Sequence, residues 1–177
     1  MVMTISNSTN NDFVTGSDNV GGFVGYAYKN TNMNMTISDS VNNGNVTGSD
    51  NVGGFVGIIE DNVKSGMIIV SCVNDASVTG SKYAGGFVGC VYSYSSYSIA
   101  IDIMNSANKG SVSSKQGMAC GFVCTHSDYK YNVKTTVKNN INNGSVSAGT
   151  NGYGITNIIT VARNVVSMGD VTGSSGS

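Results

Sequence analysis

Along residues 35–47, MTISDSVNNGNVT, apolar side chains return at two- and four-residue intervals: Met35, Ile37 and Val41 share one parity, with polar residues between them. A period of two marks extended strands, whose successive side chains point to opposite faces. The same pattern recurs along the chain. Counting back from Val14, Val46, Val78, Val112, Val146 and Val171, the position nine before is Ile5, Ile37, Ile69, Ile103, Val137 and Ala162. The position five before is Thr9, Val41, Val73, Ala107, Ile141 and Val166, and Met3, Met35, Met67 and Ile101 stand eleven before on the same parity. These columns are expected to face one core. No apolar stripe at helical spacing runs for three turns, and the glycine and β-branched content also argues against helix.

The anchor valines are spaced by 32, 32, 34, 34 and 25 residues. VTGSDNVGGFVG stands at Val14–Gly25 and again, letter for letter, at Val46–Gly57; VTGSKYAGGFVG, VSSKQGMACGFVC and VSAGTNGYGIT follow in weaker form. Repetition at this interval points to a solenoid, in which one lap has no core of its own and stacking supplies it. Each unit reads as a long strand, an Asn-Gly turn, a short VTG strand, a small turn, and a GGFVG strand leading to a variable crossing. The expected fold is all-β: a parallel β-solenoid (β-helix) with laps of 32–34 residues and three strands per lap. Residues 1–177 form a single repeat domain, with laps 1–32, 33–64, 65–98, 99–132 and 133–158 and a partial lap 159–177. The final VTGSSGS stops before a GGFVG strand, so the chain is expected to belong to a longer array.

Three columns carry the repeat. Asn10, Asn42, Asn74, Asn108 and Asn142 lie four before the anchors, where stacked amides can hydrogen-bond along the coil axis. Gly22, Gly54, Gly86 and Gly121 precede Phe23, Phe55, Phe87 and Phe122; a residue without Cβ lets the backbone turn or approach a neighbour closely beside the large ring. Thr15, Thr47, Thr79, Ser113, Ser147 and Thr172 follow the anchors. Such a hydroxyl row suggests ice or crystalline polysaccharide, but the next column is mostly glycine, so a second ordered row is not expected and the hydroxyls read as solvent-facing or turn-capping.

These motifs resemble the GLUG-motif repeat family: G-x-V-T-G-x-x-x-V-G-G-F-V-G at Gly44–Gly57 follows that family's pattern of glycine, valine and a closing GG-aromatic-or-Leu-V-G. Four units carry the resemblance strongly, while GMACGFVC and NGYGIT depart from it and imply a rearranged closing turn. Family members are mainly large bacterial surface proteins, including haemagglutinin-like adhesins and surface peptidases in which the repeats are not catalytic. Similar Asn-rich arrays occur in surface proteins of parasitic protists. The resemblance implies an exposed, non-catalytic segment of a cell-surface or extracellular protein.

Composition changes this picture little. The chain has 24 Gly, no Pro, 11% charged and 40% hydrophobic residues and a net charge of -1, which fits a packed interior and gives no electrostatic reason to expect a nucleic-acid or anionic-membrane partner. No run of about 18 apolar residues suits direct membrane insertion. His126 follows Cys120 and Cys124 on one parity, a zinc-like trio that lacks a fourth ligand; with glycine at the equivalent cysteine positions elsewhere, small packed thiols are the simpler expectation. Cys90 is one position out of register with Cys124, and Cys72 stands in a column of serines, so free thiols are expected. No metal or other cofactor is expected.

The carboxylates are dispersed. Asp18 and Asp50 share a column with Lys82, and Glu60-Asp61 is an isolated acidic pair, so an enzyme acting on glycans has little to work with. Tyr92, Tyr94, Tyr97, Tyr129 and Tyr131 cluster in the third and fourth crossings, with Tyr26 and Tyr28 in the first. Tyrosine among serines suits adaptable protein contacts and sugar stacking, making these the candidate contact residues; the plainer alternative is that VYSYSSYSIAI packs as an ordinary strand. The expected role is a structural or adhesive module whose partner is a protein or glycan on another surface. A self-assembling filament subunit, binding further copies of itself through open coil ends, is the alternative. A glycan-processing β-helix enzyme is the remaining one.

Overall fold

The computed structural model describes residues 2–29, 34–61, 65–93, 99–126, 133–157 and 161–173. Among these residues there is no helix, and every strand pairing is parallel. Among the described residues the first three laps cross five ladders, which in the second lap are entered by Asn34–Ser38, Val41–Asn42, Val46–Thr47, Asn51–Gly53 and Val56–Asp61. The ladders hold six, six, six, five and three strands in that order. Register follows the repeat: Met3, Met35, Met67, Ile101 and Thr135 stand side by side, as do Ile5, Ile37, Ile69, Ile103 and Val137.

The three strands expected per lap are divided by two corners. MTISDSV breaks at Asp39, where φ is 50°; its equivalents Asn7, Ser71, Asn105, Asn139 and Asn164 have φ of 49° to 56°. Asn and Asp tolerate this left-handed conformation because their short side chains bond locally. The corner also shifts the inward phase by one residue. Ile37 is fully buried, but beyond Asp39 it is Ser40 and Asn42 that turn inside, while Val41 is partly exposed and Ile141 and Val166 are 42% and 47% exposed. The column five before the anchors therefore does not share the core of the Ile column, contrary to the single parity read from the sequence. The second corner divides the GGFVG segment, placing Gly53 and Val56 on different ladders.

Among the described residues two large apolar clusters fill the coil, and a third, small one joins Met118, Cys120 and Cys124 against Tyr83 and Tyr153. The larger gathers Met35, Ile37, Phe55, Ile59, Met67, Ile69, Phe87, Ile101, Ile103 and Phe122, and the smaller is a valine column with Val46, Val52, Val78, Val112 and Val146. Phe23, Phe55, Phe87 and Phe122 stack along the axis with ring centroids 5.0, 4.9 and 5.0 Å apart, the strand spacing of a sheet. Inside the coil runs the asparagine ladder: Nδ2 of Asn10, Asn42, Asn74 and Asn108 donates to Oδ1 of the next lap's asparagine at 2.8, 2.9, 2.8 and 2.7 Å. Asn74, Asn108 and Asn142 also donate to the backbone carbonyl two residues on, at 2.9, 3.0 and 3.0 Å. Buried amides survive inside because their hydrogen-bonding capacity is used along the coil.

This ladder and the backbone of the next lap together explain the glycine before each phenylalanine, because a Cβ there would first overlap the carbonyl of the next lap's glycine, Gly86 for Gly54 and Gly121 for Gly86. A Cβ on Gly54 would sit 2.6 Å from Oδ1 of Asn74, and one on Gly86 would sit 2.7 Å from Oδ1 of Asn108. The two columns are thus complementary halves of one contact, glycine backbone against asparagine amide. A second inner row runs beside it, where Ser40 and Ser106 donate to the carbonyls of Ser38 and Met104 and accept from the amides of Ser8 and Cys72.

Candidate functional site

The fifth ladder places the tyrosines. Its strands Val24–Lys29, Val56–Asp61 and Val88–Ser93 pair so that Ala27, Ile59 and Val91 form one row, and all three are buried in the larger cluster. Alternation sends the neighbouring rows to the other side: Tyr26, Ile58 and Cys90, and beyond them Tyr28, Glu60 and Tyr92. Tyr26 and Tyr28 are 48% and 47% exposed, with ring centroids 5.7 Å apart. The Tyr26 hydroxyl donates to Oε2 of Glu60 at 2.6 Å, linking the first lap to the second.

One lap further, the His126 amide donates to the Val91 carbonyl at 3.2 Å, which brings the imidazole onto two aromatic rings: Tyr92 at 4.6 Å and Tyr83 at 5.6 Å between centroids. Tyr83 in turn borders a cleft of about 270 Å³ lined by Lys82, Gly117, Met118, Thr150 and Asn151. Lys82 reaches Asp50 at 2.7 Å; the carboxylate hydrogen bond and charge hold its ammonium above the ordinary lysine range. The result is an edge of aromatic faces interrupted by one carboxylate and one imidazole. Such an edge can stack on apolar ring faces and exchange hydrogen bonds with hydroxyls.

Of the tyrosines named from sequence, Tyr92 lies on this edge, half-buried; Tyr94, Tyr97, Tyr129 and Tyr131 lie outside the described residues. Tyr26, Tyr28 and Glu60 belong to strands, not to crossings as the sequence suggested. The plainer reading of VYSYSSYSIAI is met in part, since Val88–Ser93 and Ile99–Met104 are ordinary strands and Ile99, Ile101 and Ile103 are buried. The contact of Tyr92 with His126 was hidden from sequence because it depends on lap register across an irregular spacing.

The expectation of four free thiols is corrected. Cys120 and Cys124 form a disulfide with Cα atoms 5.5 Å apart, while Cys72 and Cys90 are free and buried. The register gives the reason: Cys120 pairs with Gly85, so the two cysteines flank the closing turn that a glycine pair flanks in earlier laps, and they face each other across it. In this lap and the next, the fifth ladder continues only as single bridges from Val88 to Val123 and on to Thr156. With its sulfurs bonded to each other, the Cys120–Cys124–His126 trio offers no pair of thiolates, and no group of three metal-ligating side chains gathers among the described residues. Burial pushes the Cys72 and Cys90 thiols above the ordinary range.

The hydroxyl row also differs from expectation. Thr47 faces outward and is exposed, but the following Gly48 does not continue that face; the next outward column lies two residues earlier, at Asn45, Ser77, Ser111 and Ser145. A second polar row therefore exists, tied together by Ser111 Oγ donating to Ser77 Oγ at 3.0 Å and the Ser77 amide donating to Asn45 Oδ1 at 2.9 Å. Lys109 and Asp75 pair beside it at 3.3 Å. No protein-family model, curated protein or solved structure matches the chain.

Proposed function

We propose that the chain is a non-catalytic structural and adhesive repeat module of a cell-surface or extracellular protein, presenting its tyrosine edge to a protein or glycan on another surface. The observation that carries this reading is the edge itself: Tyr26 and Tyr28 nearly half exposed, with Tyr28 in register with Glu60 and Tyr92, on a ladder whose inward row of Ala27, Ile59 and Val91 is buried. Exposed aromatic groups held on a rigid sheet lose little freedom on contact, which favours recognition. The likeness of the repeats to GLUG motifs supports a surface location, and the Cys120–Cys124 disulfide fits an oxidising compartment. The non-catalytic part of the proposal draws on the dispersed carboxylates, with Asp50 and Asp75 occupied by Lys82 and Lys109.

The test is attachment under flow. Microspheres carrying the chain are to be retained on cell or matrix surfaces above spheres carrying a Tyr26→Ser, Tyr28→Ser, Tyr92→Ser variant. Equal loss of both overturns the reading. The second reading, a filament subunit, draws on a different observation: in all five sheets the first described lap is an outer strand, and strand edges recruit further strands.

A further inference from the structure

We infer that the tyrosine edge takes an extended, uncharged β-1,4-linked pyranose polymer lying parallel to the coil axis; the inference rests on the adhesive reading above and narrows its partner. The register supplies the argument. Tyr28, Glu60 and Tyr92 occupy one row in successive laps, so two aromatic rings flank a carboxylate. At about 4.8 Å per lap the two tyrosine positions stand roughly 10 Å apart along the axis. In an extended β-1,4-linked chain each sugar is turned over relative to the one before, so like faces recur at every second sugar, a rise close to two laps. Tyr28 and Tyr92 then meet equivalent faces of alternate sugars, and Glu60 meets the hydroxyls of the sugar between them.

The chemistry of the row agrees with that occupant. The axial C–H face of a pyranose is apolar and suits an aromatic face, while its equatorial hydroxyls need acceptors. Glu60 is an acceptor held in place by the Tyr26 hydroxyl at 2.6 Å. His126, against Tyr92, carries the row toward the next lap. A carboxylate at the centre disfavours uronates and sulfated sugars through like-charge repulsion. An α-linked glucan coils and cannot follow a straight row.

Titration calorimetry with cellohexaose, chitohexaose, cellobiose, maltohexaose and an oligogalacturonate tests this, using the full chain. At least one of the two β-linked hexaoses is expected to bind about tenfold more tightly than cellobiose, which reaches one ring, with maltohexaose and the oligogalacturonate weaker still. Tyr28→Ala and Tyr92→Ala are each expected to bring the hexaose down to the disaccharide level, while Glu60→Gln, which keeps an acceptor, stays within about threefold. Far-UV circular dichroism and the unfolding midpoint check that each variant is folded. Equal affinity for hexaose and disaccharide, or full binding by a folded Tyr92→Ala variant, overturns the inference. If no glycan binds while chain-coated spheres still adhere through the tyrosines, the partner is a protein and only this narrowing fails. If neither glycan binding nor adhesion occurs, both readings fail.

Discussion

Replacing Asn74 by alanine removes the centre of the asparagine ladder. The side chain is fully buried; it donates to Asn108 Oδ1 at 2.8 Å and to the Ala76 carbonyl at 2.9 Å, and accepts from Asn42 Nδ2 at 2.9 Å. Three hydrogen bonds at about 1 kcal/mol each set the lower bound of the loss. The stranded partners add to it, because Asn108 Oδ1, the Ala76 carbonyl and one Asn42 N–H are left inside without water. The loss is therefore about 3–6 kcal/mol, a large share of the total stability of a domain. Urea unfolding followed by circular dichroism should show the midpoint falling by about 1–3 M. Asn43→Ala is the matched control: its amide donates to Asn11 Oδ1 at 2.9 Å in the same lap-to-lap geometry, but in solvent, so its loss should stay near 0.5 kcal/mol or below. Equal midpoints for the two variants would refute the argument that burial, not amide stacking itself, gives the ladder its weight.

Other consequences can be measured on the same protein. Gly54→Ala places a Cβ against the Gly86 backbone carbonyl and against Asn74 Oδ1, which the ladder holds, so it should cost more than about 2 kcal/mol in the same unfolding assay. Ser71 is the corner residue with φ of 56° that is neither Asn nor Asp; Ser71→Asn should raise stability by about 0.5–1 kcal/mol, and Ser71→Val should lower it. A thiol reagent should label Cys72 and Cys90 only after denaturation, and Cys120 and Cys124 only after reduction as well. Burial raises the folded pKa of Cys72 and Cys90, so the unfolded chain deprotonates first; their contribution is full below about pH 8.5 and is lost above it, at up to about 1.4 kcal/mol per pH unit per thiol. Cys90→Ala should flatten that alkaline decline.

The parallel coil was legible because identical residues at a fixed interval can all be satisfied by one stacking register, and Phe23, Phe55, Phe87 and Phe122 carry that register openly. The asparagine ladder was legible for the same reason. What the pattern concealed were the corners. Asp39 and Ser71 look like ordinary polar residues of a strand, yet their left-handed backbone shifts the inward phase and moves Val41 to the surface while Asn42 goes inside. The second polar row is concealed because the sequence neighbour of Thr47 is Gly48, whereas alternation makes Asn45 its neighbour on the face. The disulfide was hidden by the tight turn, which brings Cys120 and Cys124 together across positions that glycines occupy elsewhere. The tyrosine edge was legible in composition but not in arrangement, since the Tyr26–Glu60 bond joins residues 34 apart.

On the proposed adhesive reading, the working surface lies along the side of the coil and not at its ends. Sedimentation velocity across a concentration series, read with negative-stain images of the same samples, tests that claim most directly. One elongated monomeric species is expected at every concentration; end-to-end growth with concentration would overturn the adhesive reading and favour assembly through the outer strands.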